Sequence, residues 1–126
     1  MIFIIPGRPI PWQRARTNNG HYFDSQALQK KKIQSLFKST YPEFKPLEGP
    51  LKVEFTFTYL PPETMLVNKK RIEMLSPMIK VPDTSNLIKF YEDALNKFLW
   101  TDDKLIWSLH GEKIYADEEK TVVLIE

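Results

Sequence analysis

Apolar residues recur at Leu87, Phe90, Tyr91, Ala94, Leu95 and Phe98, the three-and-four spacing of a helix with one buried face. Pro82 precedes this pattern, and Asp83, Thr84 and Ser85 are all residue types that start helices well. The periodicity predicts about sixteen helical residues, ending near Trp100. Residues 51–59 alternate instead. Leu51, Val53, Phe55, Phe57 and Tyr59 point one way and Lys52, Glu54, Thr56 and Thr58 the other, which predicts a half-buried strand. Residues 1–5 read as a short buried strand. Leu28, Ile33, Leu36 and Phe37 give a modest stripe for a first helix over roughly 25–39, capped by Asp24 or Ser25 and stopped at Tyr41-Pro42. Beyond Asp103, alternation returns through Leu105, Trp107 and Leu109, with Gly111 marking a bulge or bend and Ile114-Tyr115 continuing the strand. Only one of Glu112 and Lys113 can then face the helix side. Residues 116–119 read as a turn and 121–125 as a last strand.

Two stretches are less regular. Residues 6–22 hold three prolines and two glycines, the composition of a loop. Pro61-Pro62 end the strand before residues 61–80, where NKKRIEMLS has room for one or two helical turns. The order β-α-β-α-β-β predicts an α+β fold, a small mixed sheet with helices packed on it. At 126 residues the chain is expected to form a single domain, 1–126.

The polar positions carry the chemistry. At 100° per residue, Asn86, Lys89 and Asp93 fall in one stripe beside the apolar face of the second helix. Groups half-buried there need partners. Asp83 stands before the helix and Asp102-Asp103 after it. If the chain folds back after Trp100, the acidic ends approach each other and offer hard oxygen ligands to a divalent cation. Asp83 and Asp103 are the leading ligand candidates, with Asp102 sharing that role or capping the next element. Lys89 lies one to two turns along from Asp83, in reach of a phosphate. Taken singly, these are an ordinary cap, a surface lysine and a polar turn; taken together they favour a site.

Charge is uneven along the chain; on composition alone this reads as uneven surface charge, with a polyanionic partner as the rival reading. Residues 1–80 hold thirteen Lys/Arg against six Asp/Glu, a net +7, while residues 81–126 are net −5. A basic part beside an acidic part suits an enzyme that grips a phosphate backbone and places metal ions on it. Arg14 and Arg16 follow Trp12 in the first loop, and Lys69, Lys70 and Arg71 form a second basic cluster. Cationic and aromatic residues interleaved in this way suit a phosphate backbone and an unstacked base. There is no cysteine and only two histidines, so neither a disulfide framework nor a structural zinc site is expected. The apolar start MIFII is short for a membrane span and lacks the flank of a signal peptide, so no membrane association and a cytoplasmic location are expected.

Residues 82–89 read Pro-Asp-Thr-Ser-Asn-Leu-Ile-Lys, and residues 100–103 read Trp-Thr-Asp-Asp. In order and spacing they resemble the RusA family of Holliday-junction resolvases, whose signature runs P-D-x-D-N-L-x-K, then an amphipathic helix, then W-x-D-D. The chain departs at Ser85, where the family has its second aspartate. The resemblance implies a RusA-like fold and a Mg²⁺-dependent (or Mn²⁺-dependent) endodeoxyribonuclease. Its substrate would be branched double-stranded DNA such as a four-way junction. Asp83, Lys89 and Asp103 would be catalytic and Asn86 would contact the substrate. It also implies a homodimer, since symmetric cuts across a junction need two related sites. Because serine is a poor Mg²⁺ ligand, the chain is alternatively a weakened or silent junction-binding protein. A third reading is an interaction module whose acidic turn is incidental.

Overall fold

The computed structural model describes residues 1–63, 66–67, 70–71 and 76–126. Its first half contains β1 (Ile2–Pro6), β2 (Arg16–Asn18), β3 (His21–Phe23), α1 (Ala27–Thr40) and β4 (Leu51–Tyr59). Then come β5 (Leu66–Val67), β6 (Lys70–Arg71), α2 (Thr84–Leu95), a 3-10 turn over Asp103–Leu105, β7 (Ile106–Tyr115) and β8 (Lys120–Ile125). The main sheet has the order β1-β8-β4-β7. β4 and β7 run parallel, and the other two pairings are antiparallel. The fold is therefore α+β with a mixed sheet, as expected.

One face of the sheet carries the core. Leu51, Val53, Phe55, Phe57 and Tyr59 are all buried on β4. Across the strand register they lie level with Val123 and Ile125 of β8. Against this face α2 sets Leu87, Phe90, Tyr91, Ala94 and Leu95, all buried. Each such side chain is worth roughly 1.5–3 kcal/mol of transfer free energy, so periodicity alone places α2. Glycine at 111 explains how closely the helix lies. A Cβ built there would come 2.5 Å from Ile88 Cδ1 and 2.8 Å from its Cγ1, so the bare backbone of β7 receives the Ile88 side chain. The bulge expected at this glycine is absent. The register shifts instead where Leu51 pairs with Ile106 and Lys52 with Ser108.

Other expectations change in detail. Leu28 is 82 % exposed, and α1 is anchored by Ile33 and Phe37. Phe37 packs with Phe3, Tyr41 and Phe44 in an aromatic cluster with ring centroids 4.9–5.9 Å apart. The cap of α1 is Gln26 rather than Asp24 or Ser25. Asp24 instead accepts from the Gln26 N–H and pairs with Lys30. The strand β1 buries Phe3 and Ile5 only, because it is an edge strand and Ile2 and Ile4 face the uncovered side. The first loop contains a hairpin, β2–β3, whose turn residues Asn19 and Gly20 both have positive φ, the conformation that Asn-Gly favours. In the connection 61–80, β5 and β6 pair as a small antiparallel hairpin where helical turns were expected. Pairing across two residues satisfies backbone groups that one helical turn would leave open. Within that stretch, residues 64–65, 68–69 and 72–75 lie outside the described residues.

Candidate functional site

The start of α2 is held from the sheet. Lys113 on β7 faces the helix side, level with Phe57, while Glu112 faces the opposite side, level with Thr56. The Lys113 ammonium donates to the carbonyls of Lys80 and Pro82, which anchors the turn leading into Asp83. Asp83 is the helix N-cap, with an extended backbone. Its carbonyl accepts from the Asn86 and Leu87 N–H groups at 3.1 and 3.2 Å. Its carboxylate makes no capping bond and is exposed, as are Ser85 and Lys89, while Asn86 is half-buried.

The proline-rich loop lies across this part of the helix. Trp12 N–H donates to the Asn86 carbonyl at 2.9 Å. Ile10 N–H donates to the Tyr91 hydroxyl at 3.1 Å. From the other side, the buried Gln26 accepts from Gln13 N–H at 2.7 Å and donates to the Pro11 carbonyl at 2.9 Å. The Trp12 ring thereby sits over α2, with the Lys89 ammonium 3.6 Å from the ring centroid. Arg14 follows in this loop and is exposed.

The far end of α2 gathers acid. The helix stops at Leu95 rather than near Trp100, and Lys97 takes a positive φ of 69°. Its N–H donates to the Trp100 carbonyl at 2.7 Å, so the chain reverses within a few residues. Trp100 is fully buried, and its ring N–H donates to Asp103 Oδ1 at 2.6 Å. Burial pushes the Asp103 carboxyl above its ordinary range against the pull of that bond, and the nearby Asp93 and Asp102 add to the rise. Burial also raises Glu92, and Asp103 and Asp93 reinforce it. Asp102 caps the 3-10 turn by accepting from the Lys104 N–H at 3.0 Å.

The predicted ligands therefore divide. Asp102 and Asp103 lie together beside the last turns of α2, next to Glu92 and Asp93. Asp83 heads the same helix and is not among the groups that perturb Asp103. About 15 Å of helical rise separates Asp83 from Asp93. Among the described residues, no three acidic or histidine side chains stand close enough to hold a metal ion by themselves. The acidic end of α2 still fits a hard divalent ion in its donor chemistry. Mg²⁺ keeps several waters and takes only one or two protein carboxylates beside a substrate phosphate, and crowded, half-buried carboxylates gain from such a charge. Of the basic candidates, Arg16 lies on β2 and Lys70 and Arg71 on β6, with side chains outside the described residues, as is Lys69.

Sequence reasoning missed Lys113, Gln26 and the stacking of Trp12 on Lys89. Lys113 was signalled by its facing, but its carbonyl partners lie more than thirty positions away. Gln26 reads as one more polar residue at a helix start, yet it is 1 % exposed.

A small α+β domain with crowded carboxylates at one end of a helix and a cation on its side has the groups for hydrolytic chemistry on a polyanion. The chain belongs to the RusA endodeoxyribonuclease family, whose model, described as endodeoxyribonuclease RusA, matches residues 6–126. Membership supports an endonuclease function of the Holliday-junction resolvase type. The chain is also similar to an uncharacterized protein, YqaN, of Bacillus subtilis (strain 168), with 26 % identity over 133 residues, covering 98 % of this chain and 93 % of that protein. No helix among the described residues is long and apolar enough to cross a membrane.

Proposed function

We propose that this chain is a divalent-metal-dependent endonuclease that cuts four-way DNA junctions as a homodimer. The observation that carries the reading is the acidic end of α2, where Asp103 accepts from the buried Trp100 and where burial first, then the nearby Asp93 and Asp102, raises its carboxyl. Folded chains keep such repulsion where function uses it. Asp103 and Asp102 would hold Mg²⁺ or Mn²⁺, which when bound supplies an activated water and neutralises phosphate charge. Asp83 offers a further carboxylate at the head of the helix. Lys89 contacts the phosphate and offsets charge developing on it. Arg14, Arg16, Lys69, Lys70, Arg71 and Asn86 grip the DNA, chiefly through its backbone.

The dimer would form through the sheet face that carries no helix. The strand register puts Ile2, Ile4, Val122 and Leu124 side by side there, and Ile2 is 64 % exposed. A contiguous apolar strip of this kind favours a partner of the same shape. Sedimentation at micromolar concentration should give twice the 14.9 kDa chain mass; a particle of one chain's mass would count against this surface.

One observation favours a second reading. Ser85 is exposed, neutral and near Asp83, at a position where a carboxylate would complete the first acidic end. A chain lacking it would bind junctions without cutting them. A synthetic four-way junction incubated with the protein, with Mg²⁺ or with EDTA, separates the readings. Paired nicks that require the metal support the nuclease. Salt-sensitive binding without nicks supports the silent binder. Neither cutting nor binding would sink both.

A further inference from the structure

The geometry points to Trp12 as a positioning residue that holds the Lys89 ammonium ready for a phosphate without neutralising it. This rests on the reading of Lys89 as the phosphate-contacting cation. On a helix surface the natural partner of Lys89 is Asp93, four residues on. Asp93 is engaged elsewhere. Its carboxylate lies 3.7 Å from Lys30 of α1, and Lys30 is itself held by Asp24 at 2.9 Å. Among the described residues Lys89 has no carboxylate partner, and its ammonium rests 3.6 Å above the Trp12 ring centroid instead.

The two kinds of partner have different consequences. A carboxylate would cancel the charge and have to be displaced before a phosphate could bind. An aromatic face attracts the cation by roughly 0.5–2 kcal/mol, depending on how far it is desolvated, and leaves the charge uncancelled. It also restrains a long side chain whose full immobilisation costs up to about 2 kcal/mol. The restraint is useful only if the ring is itself fixed. Here the loop carrying Trp12 is tied at the Trp12 N–H, at Ile10, at Pro11 and at Gln13, through Asn86, Tyr91 and the buried Gln26. Two of these ties reach α2 and two reach Gln26, the N-cap of α1, so the bonds fix the ring relative to the helix that bears Lys89.

The contact is testable by labelling the three tryptophans with 5-fluorotryptophan and recording fluorine NMR spectra of the full chain. Trp12→Phe assigns the Trp12 resonance. Lys89→Met should move that resonance more than those of Trp100 and Trp107; an unmoved Trp12 line overturns the proposal. The functional arm uses cleavage of a four-way junction with Mg²⁺. Trp12→Leu should lower the single-turnover rate about tenfold while junction affinity changes less than about twofold, and Trp12→Phe should recover most of the rate. In a Lys89→Met background, Trp12→Leu should have no further effect, because the two act through one contact. Equal losses from Trp12→Leu with and without Lys89, or a loss of affinity alone, would overturn the positioning role. If the wild-type chain cuts no junction, the nuclease reading falls and the fluorine spectra decide the contact separately.

Discussion

The two ends of α2 deal with charge in opposite ways. At the first end, two cations have neutral partners: Lys113 is bound by carbonyls and Lys89 by an indole face. At the second end, partial burial raises the carboxyls of Asp103 and Glu92, and their like-charged neighbours add to the rise. The first arrangement holds two cations without cancelling their charge. The second carries a cost that a bound cation would remove. Where a fold retains repulsion beside a firmly anchored residue such as Trp100, the repulsion marks the place where chemistry is expected.

The largest effect expected of a substitution is at the second end. Asp103→Asn keeps the Oδ1 acceptor for Trp100 and deletes the charge. Metal-dependent junction cleavage should fall by at least about a hundredfold, on the scale of losing one group that acts on the reacting phosphate. Thermal stability should hold or rise, and junction binding should stay or tighten. Cleavage that survives this change would move the chemistry away from this end of the helix. The first end should show the reverse balance. Gly111→Ala drives a methyl into Ile88 and should destabilise the fold by about 1–2 kcal/mol, seen as a lower urea midpoint, with Ile88→Val restoring part of it. A midpoint that does not change would mean that Ile88 swings clear and that the close approach of helix and sheet is not required.

Smaller effects sharpen the contrast. Ser85→Asp gives the first end a second carboxylate and should raise Mg²⁺ affinity several-fold, read as a lower metal concentration for half-maximal cleavage. No change would show that the acid needed lies entirely at the other end. The smallest effect concerns pH. The carboxyls of Asp103 and Glu92 titrate above their ordinary values of 3.8 and 4.5, so the folded chain binds their protons more tightly than the unfolded chain does. Their contribution is therefore most favourable below the ordinary values. It declines as pH rises from those values through the raised ones, and the full penalty applies at neutral pH. Both groups keep partial contact with solvent, so the loss should stay below about 1 kcal/mol. Glu92→Gln should flatten that slope in urea titrations between pH 4 and 7, and an unaltered slope would place the repulsion elsewhere.

Much of this molecule is written in local order. The period of α2 and the alternation of β4 are legible because an element's buried side depends only on spacing along the chain, and burying Phe90, Leu95 or Phe57 is favourable whatever the neighbour. The residues around Asp83 and Asp103 could be picked out in the same way, as a motif on and around one helix. Tertiary structure decided which of those residues meet. The helix ends at Leu95, short of the last apolar position of its pattern, Phe98, because Lys97 turns left-handed and the chain reverses onto Trp100. Asp103 therefore lies beside Glu92 and Asp93. Leu28 continues the stripe of α1 in sequence and yet faces solvent. Gly111 read as a bend, and its use is room for Ile88. Trp12 and Lys89 stand seventy-seven positions apart, and no periodicity couples them. Local spacing sets the face on which a side chain lies. The partner on that face is set by how loops, helices and sheet close on one another, through contacts between residues far apart along the chain.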